Sequence, residues 1–117
     1  MTDQDQKIVE FLARELMKYE RHPKLTGWWV GNLCIGGFDP LAQTESGYFQ
    51  CFNICNGVVA KMREKRWSLT LWQYLPWMPD RWNAMFSMNA HNMVTVELSD
   101  TPNRAIILAA YAALGGK

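Results

Sequence analysis

Thr101-Pro102-Asn103-Arg104-Ala105-Ile106-Ile107-Leu108-Ala109-Ala110-Tyr111-Ala112-Ala113-Leu114-Gly115-Gly116 is the stretch that decides the fold. Both of its ends carry helix punctuation. The Thr101 hydroxyl can accept from an amide that the first turn would leave orphaned. Pro102 suits the first helical position, where its missing N–H costs nothing and its φ is already set. Gly115 can take the left-handed conformation that closes a helix. From Ala105 to Leu114 only Tyr111 carries a polar group, so no solvent face can be drawn. A helix that is apolar nearly all round is a buried one. Its small residues let a sheet approach closely, and the rest of the chain reads as its cover.

Upstream of that helix three strands are expected. Trp67 to about Tyr74 alternates, with Leu69 and Leu71 on one face and Ser68, Thr70 and Trp72 on the other. Trp82, Ala84, Phe86 and Met88 alternate with Arg81, Asn83, Met85 and Ser87. Val94, Val96 and Leu98 alternate with Thr95 and Glu97, after turn chemistry at Asn89-Ala90-His91-Asn92. Short connections make these strands antiparallel. Before them, roughly Ser46 to Arg66 reads as a helix in which Tyr48, Cys51 or Phe52, Cys55, Val58 or Val59, and Met62 hold a 3.6-residue period. Gly27 to Phe38 reads as a hairpin, Trp28-Trp29-Val30 and Leu33-Cys34-Ile35 around a primed turn at Gly31-Asn32. Thr2 to about Glu20 reads as an amphipathic helix with Ile8, Leu12, Leu16 and Tyr19 on one stripe. Asp3 and Asp5 favour its positive end. His22-Pro23 stops it. The expected architecture is α+β, one domain over residues 1–117. An antiparallel sheet of about five strands carries helices on both faces, in α-β-α layers.

Bulk composition narrows the function. A chain of 117 residues with 49% apolar content can bury its own core. A net charge of +1 speaks against a strongly basic nucleic-acid binder. The acidic, polar start differs from a signal peptide. The longest apolar run, Ala105 to Leu114, is about half of what a bilayer needs. A cytoplasmic protein without membrane contact is expected. Cys34, Cys51 and Cys55 lack the density of a disulfide scaffold and the spacing of a metal site. His22 and His91 sit in loops, with nothing in the sequence to bring either to a cysteine. Asp80 and His91 could meet across the second strand of the meander. No phosphate loop, nucleophile elbow or metalloprotease motif is present in the sequence. The expectation is a protein without cofactor or metal, and not an enzyme.

The binding candidates are aromatic and basic. Tyr74-Leu75-Pro76-Trp77-Met78-Pro79-Asp80-Arg81-Trp82 is stiffened by its prolines, so displaying Trp77 and Met78 would cost little ordering entropy. Trp and Arg are also enriched in interface hot spots. Lys61 and Arg66 belong to a cationic cluster at a helix end, which suits the dipole, and Trp67 stands beside them as a possible base-stacking ring. The binding set is Tyr74, Trp77, Met78, Arg81, Trp82, Lys61 and Arg66. Trp28 and Trp29 face opposite sides of their strand, so a sheet covered on both faces would bury both.

Three stretches together resemble a known family. They are Phe38-Asp39-Pro40-Leu41, the helix ending Val58-Val59-Ala60-Lys61-Met62, and the Ala105-Ile106-Ile107-Leu108-Ala109-Ala110 helix. The pattern resembles the phage ABA sandwich domain, small proteins encoded by phages and prophages. The segment between Asp39 and Tyr48 departs from it. The resemblance implies an α-β-α layered fold and a viral origin, and it carries no family activity. The expected function is a non-enzymatic protein that binds a host protein and blunts an antiviral defence. The alternatives are sequestration of a small nucleotide-like ligand, with Arg81 or Lys61 on its phosphate, and an enzyme of unrecognised type. A homodimer is compatible with either binding reading.

Overall fold

The computed structural model describes residues 3–36, 38, 41, 57–73, 81–99 and 101–116. Chain order runs from helix α1 (Asp3–Phe11) through a π-helical turn, Leu12–Leu16, to strands β1 (Glu20–Arg21), β2 (Trp28–Val30) and β3 (Leu33–Gly36). Residues 57–64 form helix α2. Strands β4 (Ser68–Gln73), β5 (Trp82–Asn89) and β6 (Asn92–Ser99) follow, and α3 (Pro102–Ala113) ends the chain.

The fold is α+β, and among the described residues six strands form two antiparallel sheets of three, ordered β1-β2-β3 and β4-β5-β6. This replaces the single sheet of about five strands. The extra strand is β1, which the sequence reading assigned to the first helix. That helix closes early because Lys18 adopts the left-handed conformation (φ 61°) and the Tyr19 N–H bonds back to the Ala13 carbonyl at 2.8 Å. Glu20 and Arg21 are then free to pair with Trp29 and Trp28. The apolar stripe itself is as expected, with Ile8, Leu12 and Leu16 buried.

α3 matches its sequence features at both ends. Thr101 Oγ1 accepts from the Arg104 N–H at 3.1 Å. Gly115 sits at φ +86°, its N–H bonded to the Ala112 carbonyl and that of Gly116 to Tyr111, a Schellman closure. No residue from Pro102 to Ala113 is exposed. The helix lies against β5 and β6, where Ala105, Ala109 and Ala110 allow close approach. On the sheet, the register aligns Leu69, Phe86 and Val94 in one row and Leu71, Ala84 and Val96 in the next. Ala84 and Phe86 are fully buried. The alternate rows carry Ser68, Thr70, Thr95 and Met93, all exposed, so no helix covers this face at those positions.

One core runs through the described residues. Residues from α1, the π-helical turn, β2, α2, β5 and α3 share a single cluster of buried side chains, joined by Phe38 and Leu41. Val58 and Met62 contribute from α2, in agreement with the period read for that helix; its first half, residues 46–56, lies outside the described residues. A Cβ on Gly57 would stand 3.8 Å from Met17 Cε, which sets the first described turn of α2 against the residue that caps the π-helical turn. Asp5 stands in the first turn of α1, as expected, and has a second role. It is buried and takes two hydrogen bonds from the Arg104 guanidinium, at 3.0 and 3.3 Å.

Candidate interaction surface

The sequence-derived binding set divides. Tyr74, Trp77 and Met78, like Asp80, Cys51 and Cys55, lie outside the described residues. Their segment connects Gln73 to Trp82, which pair across β4 and β5. Trp82 is partly buried against the core, and so is Trp67. Arg81 is half-buried at the start of β5 and has an interaction of its own. Lys61 is half-buried on α2, with Nζ 3.5 Å from a Glu64 carboxylate.

Arg66 is exposed and has φ 70°. Its N–H bonds to the Arg63 carbonyl at 2.9 Å and the Trp67 N–H to Met62 at 3.0 Å, so Arg66 fills the left-handed position usually given to glycine. A Cβ there is strained by roughly 1–2 kcal/mol. Arg66→Gly is therefore expected to stabilise the fold by about 0.5–1 kcal/mol, some of the relief being lost to the greater freedom of the unfolded chain. Urea denaturation reads this directly. A loss of stability would show that the arginine side chain offsets the strain through a contact of its own.

Of the Asp80–His91 pairing only His91 falls within the described residues. His91 is exposed in the β5–β6 turn, where Asn89 Oδ1 accepts from its N–H at 2.8 Å. His22 Nδ1 accepts from the Lys24 and Leu25 amides at 3.0 and 3.2 Å, a loop-shaping role. Among the described residues, no group of three metal-ligating side chains converges.

The structure gathers a different surface, on the β2–β3 hairpin. Gly31, at φ 58°, is the left-handed first residue of its two-residue turn, as a primed turn requires. Trp28 anchors the hairpin, at 2% exposure. The Arg21 guanidinium lies 3.7 Å from the Trp28 ring centroid and that of Arg14 5.4 Å away. Glu10 holds both arginines, at 2.8 and 3.4 Å. Trp29 is half-buried; its ring lies beside His22, and its Nε1–H donates to the Thr26 carbonyl at 3.1 Å. One tryptophan is buried and the other half covered, so the sheet is not enclosed on both sides.

Beyond this polar collar the hairpin is aliphatic and open. Leu33 is 65% exposed, Leu25 55%, Val30 45% and Ile35 38%. Val30 and Leu33 are directly paired. Cys34 is an exposed free thiol between Leu33 and Ile35. The signal was present in the sequence as three consecutive apolar residues, Leu33-Cys34-Ile35, where a half-covered strand would alternate. The surface can bury aliphatic area and offer backbone hydrogen bonds. Comparison with protein-family models, with curated proteins and with solved structures finds no match.

Proposed function

We propose that this chain is a non-enzymatic binding protein that acts by protein–protein contact, with the β2–β3 hairpin as its contact surface. The observation that carries the reading is the exposure of Val30, Leu33 and Ile35 on a strand pair anchored by Trp28, with exposed Leu25 in the loop before it. Soluble proteins rarely leave large contiguous apolar patches without a use for them. A hairpin braced by Arg14, Arg21 and Glu10 also loses little entropy on docking. The resemblance to the phage ABA sandwich domain supplies the rest: a phage or prophage origin, action in the host cytoplasm, a host protein as partner, and inhibition of an antiviral defence as the role. Among the described residues no helix is long and apolar enough to cross a membrane.

The test is Leu33→Glu, which places a charge in the centre of the surface without touching the core. Tagged protein is used to capture partners from host lysate, and the captured protein is then titrated against purified wild type and variant. An affinity loss of about 30-fold or more at unchanged thermal stability is expected, the size of a hot-spot truncation. Equal capture by both proteins would remove the hairpin from the function.

A further inference from the structure

The two edges of the β1-β2-β3 sheet are built differently. β1 is two residues long, and both, Glu20 and Arg21, are charged. Short, charged strands are how soluble proteins prevent an edge from pairing. β3, at the other edge, carries no charge, and Leu33, Cys34 and Ile35 are all exposed.

The register identifies which backbone groups are free. Val30 and Leu33 flank a two-residue turn, so they form the hydrogen-bonded pair that closes it. The next pair, Trp29 and Cys34, is then of the non-hydrogen-bonded kind, and its backbone groups point away from each other. For Trp29 that direction is toward β1, where it pairs with Glu20. For Cys34 it is out of the sheet. The Cys34 N–H and C=O thus stand at an edge that no described strand pairs, in the middle of the three exposed apolar residues.

We infer that β3 pairs antiparallel with β3 of a second copy, centred on Cys34, joining two sheets of three strands across a two-fold axis. The inference rests on the hairpin being a contact surface and names one partner for it. Cys34 turns both backbone groups outward, so two copies centred on it would exchange both hydrogen bonds of an antiparallel pair across the two-fold axis. The pairing then sets Leu33 of one copy against Ile35 of the other, and brings no charge opposite its own image. A net charge of +1 adds little repulsion. The bulge between Trp28 and Trp29, where Ile35 has no partner on β2, keeps the pairing short. The contact is therefore smaller than a standard interface and the dimer dissociates on dilution.

Sedimentation equilibrium over a range of about 1 µM to 1 mM tests this. Wild type is expected to move from monomer to dimer mass within the range. Cys34→Pro removes only the outward N–H, a position where an edge strand tolerates proline, and Leu33→Lys places a charge on the edge. Both are expected to remain monomeric at unchanged melting temperature, and either one suffices if the other misfolds. In a Cys51→Ala, Cys55→Ala background, a short bismaleimide is expected to link two copies through Cys34, whose Cβ atoms would lie about 5 Å apart, and Leu33→Lys is expected to abolish the link. Wild type that stays monomeric throughout overturns the inference, as does a dimer indifferent to both variants. Loss of host-protein capture in Leu33→Glu together with a monomeric wild type overturns self-pairing and leaves the contact surface intact. Edge-dependent dimerisation with unchanged capture upholds self-pairing and overturns the host-binding reading.

Discussion

Phe86→Ala is expected to cost about 3–5 kcal/mol of folding stability, the usual range for an aromatic ring removed from a closed core. Phe86 is fully buried on the central strand of the β4-β5-β6 sheet, between Leu69 and Val94, with α3 packed across β5. A ring enclosed on the sheet by neighbours and above by a helix leaves a void that a backbone hydrogen-bonded on both sides cannot collapse to fill. Domains of this size are typically stable by only about 5–15 kcal/mol, so the variant should be near its unfolding threshold at room temperature. Met88, on the same strand but 42% exposed, is the control: Met88→Ala is expected to cost less than about 1 kcal/mol. Urea unfolding of both measures the contrast. A cost below about 1.5 kcal/mol for Phe86→Ala would mean that α3 does not rest on this face.

The second half of the fold was readable because its code is local. The cap at Thr101, the left-handed Gly115 and the alternation around Ala84 and Phe86 each depend on residues within a turn or a strand of one another. The α1 boundary was not readable, because nothing in the side chains of Arg14 to Tyr19 announces a π-helical turn closed by a left-handed lysine. Sheet partition failed for a related reason. Whether β3 meets β4 depends on how the segment between them runs, and periodicity carries no information about that. Of the candidate site, the loop carrying Trp77 and Met78 lies outside the described residues. Tryptophans were the natural suspects, yet Trp28, Trp67 and Trp82 are drawn into or against the core, where large rings bury the most area. The exposed residues are aliphatic and sit on a short strand, where the sequence reading assumed cover on both faces.

Asp5→Ala is expected to destabilise the protein by about 2–3 kcal/mol, although Asp5 lies in the first turn of a terminal helix, where most substitutions are mild. Its carboxylate is mostly buried and the Arg104 guanidinium, 28% exposed, meets it through both terminal nitrogens, at 3.0 and 3.3 Å. The pair links α1 to the start of α3 across 99 positions of sequence, so it fixes how the first helix sits on the last. Removing one partner leaves a partly desolvated charge without its counter-ion, and that loss, rather than the worth of the pair, sets the size of the effect. The same reasoning fixes the sign of the double variant. Asp5→Leu with Arg104→Met removes both charges and keeps apolar volume, so much of the stability is expected to return. Denaturant unfolding of the two single variants and the double closes the cycle, with a coupling of about 1–2 kcal/mol expected between the positions. Additive losses would show that α1 is held to α3 by its apolar face alone, through Phe11, whose ring meets Tyr111 edge-on at 5.0 Å.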